Sequence, residues 1–307
     1  MRDVRAQYKT IFQQMRETGF GFPYPQKYPS LFDASPQERE ELLEEAWEKG
    51  GLRLPVLFGD VLVNKAANDV VLEFMHRKIR ETVHDPVVAE QLLPRYPCFT
   101  KRPPLEHGYY EAFNRDNVTL VNVRQSPIVG ITERGVRTRD AEYPVDSIIF
   151  ATGFDAMTGA LFAIDITGRE GISLRDRWAE GPRTYLGLTT EHFPNMFMIT
   201  GPQSPSVLSN MPVAIEQHVE WIADCIRYMH EKGIDTIEPT PAAEGWWVDH
   251  HTQVAEATLV PQTDSWWVGA NVPGKRRILY PYIGGLNNYR TICDEVAAKG
   301  YEGFAFA

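Results

Sequence analysis

The stretch Phe99-Thr100-Lys101-Arg102-Pro103-Pro104 sets two adjacent cations on a stiffened backbone, in a chain whose formal net charge is -10. Pro103 fixes its own φ and pushes Arg102 toward an extended conformation, so the guanidinium is aimed rather than free. Arginine stays ionised at any working pH and offers five donors in a planar fork, whereas lysine offers a compact point charge. Side by side, such a pair could serve two anions at once, for example a phosphate and a charge that develops during a reaction. A solvated basic pair on a loop is the competing reading of the same residues.

Further candidates lie downstream. The run Val145-Asp146-Ser147-Ile148-Ile149-Phe150-Ala151-Thr152-Gly153 turns almost wholly apolar and ends in small residues. A continuous apolar strand marks a sheet covered on both faces, and small residues at its carboxyl end let a ligand or another backbone come close. The pattern repeats at Asn195-Met196-Phe197-Met198-Ile199-Thr200-Gly201-Pro202, followed by a polar loop and Ser209-Asn210-Met211-Pro212. Strand, tight loop and helix amino-terminus together aim unpaired N–H groups and a partial positive charge at a ligand. Near the end, Ser265-Trp266-Trp267 joins a loop containing Pro273-Gly274 and Lys275. Tryptophan can stack on a planar heterocycle or simply fill core. Lys275-Arg276-Arg277 reads as a solvated cluster. His250-His251 lacks any usual zinc spacing, so no metal is assigned.

These residues need a scaffold, and the pattern around them is legible. Ser35-Pro36-Gln37-Glu38 predicts a capped helix start, with Leu42, Leu43, Ala46 and Trp47 on one apolar face and Gly50-Gly51 at its end. A second amphipathic pattern, from about residue 65 to 83, turns Ala67, Val70, Val71, Phe74 and Ile79 inward, and Asp85-Pro86 opens a short third helix. After Tyr109-Tyr110 the texture changes to short strands at 118–123, 128–131 and 135–138. A long helix follows Pro212 until Gly233, with Ile215, Val219, Ile222, Ile226 and Met229 keeping one face apolar. The whole reads as α/β with an amino-terminal helical segment.

At 307 residues the chain suits roughly two domains. Its acidic balance argues against nucleic acid or anionic membrane as the main partner. Three scattered cysteines, Cys98, Cys225 and Cys293, point to reduced thiols in a cytoplasm. No apolar run approaches a membrane span, and Met1-Arg2-Asp3-Val4-Arg5 lacks the apolar core of a signal peptide. A soluble, cytoplasmic protein is the expectation.

Taken in order, several segments resemble one family. Thr100-Lys101-Arg102, Tyr109-Tyr110-Glu111-Ala112-Phe113-Asn114-Arg115, Phe150-Ala151-Thr152-Gly153-Phe154-Asp155-Ala156, Gly181-Pro182-Arg183-Thr184-Tyr185-Leu186-Gly187, Phe193-Pro194-Asn195, Gly269-Ala270-Asn271 and Tyr289-Arg290 look like the second half of a Baeyer–Villiger monooxygenase. The similarity is to the phenylacetone and cyclohexanone monooxygenase type and covers essentially the whole chain. It implies the carboxy-terminal part of a flavoprotein with two dinucleotide-binding domains. Residues 1–97 would be a helical segment inserted in the NADP-binding domain, 98–150 the end of that domain, and 151–307 the carboxy-terminal part of the FAD-binding domain.

The resemblance also implies FAD and NADP as cofactors, a ketone and O2 as substrates, and an ester or lactone as product. By it, Arg102 matches the catalytic arginine and Lys101 the lysine near the NADP 2′-phosphate. Trp266 matches the tryptophan that contacts NADP from a mobile loop, Met211 a residue contacting FAD, and Ser206-Val207-Leu208 a loop shaping the substrate pocket. A fixed guanidinium suits the negative charge that forms on a former carbonyl oxygen, and a lysine point charge suits a phosphate.

One departure is large. No G-x-G-x-x-G occurs in these 307 residues, so no glycine turn for a pyrophosphate is present. Activity of the chain alone is therefore not expected, and a separate chain carrying the missing amino-terminal half is an expected partner. A non-catalytic binding module and a flavin monooxygenase that oxidises nitrogen or sulfur are the alternatives.

Overall fold

The computed structural model describes residues 5–307, so the opening Met1–Val4 read above lies outside the described residues. Helices come first: α1 (Tyr8–Arg16), α2 (Pro36–Lys49), α3 (Lys65–Thr82), α4 (Pro86–Leu92) and the single turn α5 (Tyr109–Ala112). The caps are those the sequence announces. Ser35 Oγ accepts from Glu38 N at 3.2 Å, and Asp85 Oδ1 accepts from Val87 N and Val88 N at 2.8 and 3.2 Å. The capping box on α2 is only half made, because the Glu38 carboxylate takes the Tyr28 hydroxyl at 2.5 Å instead of turning back.

An antiparallel sheet of β1 (Ile128–Thr132), β2 (Gly135–Thr138) and β3 (Glu142–Pro144) follows, each strand paired to the next. The short helices α6 (Gly159–Phe162) and α7 (Leu174–Arg177) lead to α8 (Met211–Lys232). β4 (Ile237–Pro239), α9 (Pro241–Glu256), α10 (Leu286–Ala298) and β5 (Phe304–Phe306) complete the order, with β4 antiparallel to β5.

Three expected strands are corrected by this structure. Segments 118–123, 145–153 and 195–202 join no ladder, and Ile149, Phe150 and Phe154 are 90%, 70% and 88% exposed. A strand that is apolar on both faces needs neighbours on both sides and helices above and below. The neighbours that crossover units would supply are absent among the described residues, so the backbone stays extended without pairing.

The cores lie elsewhere. Leu186, Trp221, Trp247, Tyr289 and Cys293 centre one apolar cluster built from α8, α9 and α10. Leu31, Leu43, Phe58, Val71 and Phe74 centre another in the amino-terminal helices. A smaller cluster of Val260, Trp267, Val268 and Leu279 has Leu62, Val207, Leu208 and Trp266 packed against it. Among the described residues no helix is long and apolar enough to cross a membrane, and no group of acids, histidines and cysteines could hold a metal ion. His250 stacks on Trp246, and its Nε2 lies 3.0 Å from the Tyr282 hydroxyl.

Two histidines in the core set a pH response. His218 accepts the Thr200 N–H at Nδ1 (2.9 Å), and His251 Nε2 donates to the Pro281 carbonyl (3.2 Å). Burial holds each at about 4. Because the unfolded chain takes up these protons near 6.5, the stability tied to the neutral rings is complete above that pH. It is lost as the pH falls from 6.5 toward 4. Urea midpoints measured across this window should fall with acidification, and less so in His251→Gln than in the parent chain.

Candidate functional site

The cationic pair is positioned from behind by a buried amide. Asn68, on α3, donates through Nδ2 to the carbonyls of Val61 (2.9 Å) and Cys98 (3.1 Å) and accepts the Cys98 N–H at 2.8 Å. Phe99 then takes φ 62°, a left-handed conformation costly for an aromatic residue, and its side chain is buried. Thr100 is fully buried, and its hydroxyl lies 2.7 Å from that of Thr263. Cys98, Phe99 and Thr100 are thus anchored, and Lys101 and Arg102 leave from a fixed root.

The two cations diverge. Lys101 Nζ sits 4.5 Å from the centre of the Tyr96 ring, and partial burial, then the Arg124 charge, hold its pKa below the ordinary lysine value. Arg102 is exposed along one side and donates from Nη1 to the Val207 carbonyl. Among the described residues it forms no ion pair with a carboxylate, so its other donors remain for a ligand.

That carbonyl is presented by a strained bulge. Ser206 is buried at φ 38°, its hydroxyl accepts from the Val207 N–H and donates to Met157 Sδ at 3.5 Å, and its carbonyl takes the Ser209 hydroxyl at 3.1 Å. The bulge rests on the segment 181–190. Thr184 N and Oγ1 both donate to Gln203 Oε1, at 3.0 and 2.7 Å. Gly187 (φ +68°) passes so close that a Cβ there would lie 2.5 Å from the Ser204 nitrogen, which explains the glycine.

Arg102, Val207 and Leu208 line a cavity of about 50 Å³ with Phe20, Phe22, Phe99, Trp267 and Ile283. A larger space of about 480 Å³ shares Phe20, Phe22, Leu208 and Ile283 with it. The structure therefore brings Arg102, Ser206, Val207 and Leu208 together, with Trp266 in the adjoining apolar cluster. Lys101 and Met211 lie off the cavity wall. Met211 opens α8, whose first turn has no side-chain cap.

Sequence reasoning missed Asn68, Thr263 and the Phe20–Phe22 strap. The strap's carbonyls cap two helices: Phe20 O accepts from Asn210 N at 2.9 Å and Gly19 O from Leu286 N at 2.7 Å. The alternation Gly19-Phe20-Gly21-Phe22 was the visible signal, since Gly21 takes φ +70° and its Cβ would meet Asn210 at 3.0 Å.

Some buried polar atoms make no hydrogen bond within the described chain. Ser265 Oγ and Trp267 Nε1 flank Trp266, and Thr158 Oγ1 follows the Ala151-Thr152-Gly153 segment. Buried donors without partners are costly, and the pair on either side of Trp266 suits a ring ligand with polar edges. A nicotinamide and a flavin ring fit these residues. A dinucleotide pyrophosphate does not, because the glycine turn that cradles one is missing.

Comparison with known proteins returns a consistent answer, although no family model matches the chain. The chain is 42% identical to a Baeyer–Villiger monooxygenase of Pseudooceanicola batsensis, over 97% of this chain and 55% of that one. It is 38% identical to the phenazine N-monooxygenase PhzNO1 of Lysobacter antibioticus, over 97% of this chain and 56% of that one. Among solved structures, OTEMO complexed with FAD and NADP superposes with a TM-score of 0.95 at 41% identity, covering 100% of this chain and 57% of that one. The chain spans little more than half the length of the relatives it matches.

One buried carboxylate underpins the segment beneath the bulge. Glu244, on α9, is 1% exposed and accepts from Arg177 (2.5 Å), Arg183 Nε (3.3 Å), Thr190 Oγ1 (3.2 Å) and Glu191 N (3.1 Å). Removing one partner of a buried pair leaves the other uncompensated. Glu244→Ala should cost about 3–5 kcal/mol of unfolding free energy by urea titration, and Glu244→Gln less.

Proposed function

We propose that this chain, a homologue of the Baeyer–Villiger monooxygenases that matches the carboxy-terminal portion of their sequence, supplies the arginine side of a site that oxidises ketones to esters or lactones. The observation that carries the proposal is the Arg102 guanidinium, held by the Val207 carbonyl at the edge of an otherwise apolar cavity. The net reaction consumes a ketone, O2, NADPH and a proton and yields the ester, NADP+ and water. Bound FAD and NADPH would supply the electrons and the activated oxygen.

The chain's own residues do the rest. Arg102 keeps its remaining N–H donors for an oxygen that becomes negative when the carbonyl is attacked. A permanent cation serves better there than a lysine, whose proton is lost more readily on burial. Phe20, Phe22, Val207, Leu208 and Ile283 offer a ketone an apolar wall. Lys101 lies outside the cavity, where a point charge suits the NADP 2′-phosphate. Trp266, between two unpartnered donors, suits the nicotinamide side, and the start of α8 at Met211, which has no side-chain cap, suits negative charge on a flavin ring.

An amino-terminal portion must complete the enzyme, because the pyrophosphate cradle is lacking and the apolar stretch 145–154 is unpaired. Within the whole, residues 1–97 would form a helical insertion in the NADP-binding domain, 98–150 the end of that domain and 151–307 part of the FAD-binding domain. The separate apolar clusters of the two ends support treating the helical segment and the carboxy-terminal part as distinct units, with Cys98 and Phe99 packed into the helical one. Three free and buried cysteines support a reducing, cytoplasmic setting. A second reading, oxidation of a ring nitrogen, rests on the identity to PhzNO1 and separates from the first by its product.

The test is spectroscopic. After incubation with FAD and removal of unbound flavin, the purified chain should be colourless, and it should retain the yellow flavin and oxidise ketones when joined by the amino-terminal portion. Tight stoichiometric FAD binding by the chain alone overturns the half-site reading, and a complex with no oxidised product favours a binding module. In the assembled enzyme, Arg102→Ala should lower ester formation by about 10²–10³-fold while flavin reduction by NADPH stays largely intact. Unchanged ester yield removes Arg102 from the reaction.

A further inference from the structure

We propose that Lys275 is a positioning residue that latches the tryptophan-bearing loop 264–275 onto segment 154–157, and through it onto the bulge that holds Arg102. The proposal deepens the functional reading above and rests on it for the role of Trp266.

Lys275 opens the run Lys275-Arg276-Arg277, expected to be solvated, yet its side chain is only 9% exposed. Its Nζ donates to Asp155 Oδ1 at 2.5 Å and to the Ala156 carbonyl at 2.7 Å, and stands 4.4 Å from the centre of the Tyr280 ring. A carboxylate, a carbonyl and a ring face are a full set of partners for an ammonium taken out of water. Arg276 and Arg277 behave differently: they are about half exposed and pair with Glu180 and Asp264 at the surface. One lysine of the three cations is built in.

The latch has a second point and a continuation. Asn271 Nδ2 donates to the Phe154 carbonyl at 2.9 Å. Around these two tethers the loop is a chain of local turns: Ala270 N reaches Ser265 O, Val272 N reaches Gly269 O and Lys275 N reaches Val272 O. Such turns shape the loop without fixing its place; burial and the Tyr280 N–H on the Trp267 carbonyl (2.9 Å) hold Trp267 and Val268, and Lys275 and Asn271 place the stretch 269–275 that follows them. The anchoring segment then reaches the site, because Met157, at φ 69°, receives the Ser206 hydroxyl. Loop, anchor and bulge form one connected body, with Lys275 at the loop's end of it.

The test uses the chain itself and hydrogen–deuterium exchange. Lys275→Met or Asp155→Ala should speed exchange across 269–277 by about tenfold, with α10 unchanged. The double variant should be no faster than either single one, since both remove the same interaction. Unchanged exchange, additive effects, or acceleration that spreads into α10 overturns the latch. In the assembled enzyme Lys275→Met should raise the NADPH KM several-fold and leave the ketone KM alone; an unchanged NADPH KM in an active enzyme overturns the positioning role. If the assembled parent enzyme makes no ester, the functional reading fails while the exchange result still decides the latch.

Discussion

The arrangement of the cationic segment depends on one buried side chain, the Asn68 amide. Three hydrogen bonds join it to the backbone of Val61 and Cys98, and no water is needed to satisfy it. An amide in a helix core is expensive unless fully paired, so the geometry around it is closely specified. The consequence runs outward. Cys98 is fixed, Phe99 is held in a left-handed conformation, Thr100 meets Thr263, and only then do Lys101 and Arg102 emerge. The helical segment's contribution is therefore mechanical: α3 grips the root from which the two cations project.

The opposite wall is held by different physics. Ser206 and Gln203 occupy positive φ, at 38° and 66°, conformations that persist only where surroundings over-determine them. Here the surroundings are Thr184, the close approach of Gly187, and the Glu244 cluster beneath. A bulge so braced can offer the Val207 carbonyl in one direction and keep the neighbouring apolar side chains against the cavity. The strain and the cationic root meet in a single hydrogen bond, from Arg102 to Val207.

Much of this was legible in sequence wherever the determinant is local. Ser35, Asp85 and Pro212 mark helix starts because a cap acts within four residues, and β1 and β2 follow from a turn between β-branched runs. What was not legible depends on distance. The stretch 145–153 has the composition of a buried strand, but pairing is a property of its neighbours, and the chain leaves Ile149 and Phe150 in water. Asn68 drew no reading from the sequence, because its partner Cys98 lies thirty residues away. Lys275 looked like one of three solvated cations, and its partner Asp155 is 120 residues upstream. The catalytic assignment of Arg102 came from resemblance; the bond to Val207 gives it a physical setting that spacing alone could not.

The two halves of a site place different demands on a chain. Binding a pyrophosphate needs a glycine turn at a helix amino-terminus, a local motif that either is or is not present. Holding a charge-stabilising guanidinium over an apolar cavity needs no motif, only long-range bracing, and this chain has that bracing in abundance. Such a division explains how a polypeptide can carry a well-formed arginine wall and lack a cofactor cradle. It also accounts for the exposed apolar stretch 145–154, which leads straight into Asp155 and Met157. Any strands that cover it would order the same segment on which the tryptophan loop and the Ser206 bulge both rest. Completing the sheet and completing the site would then be one event.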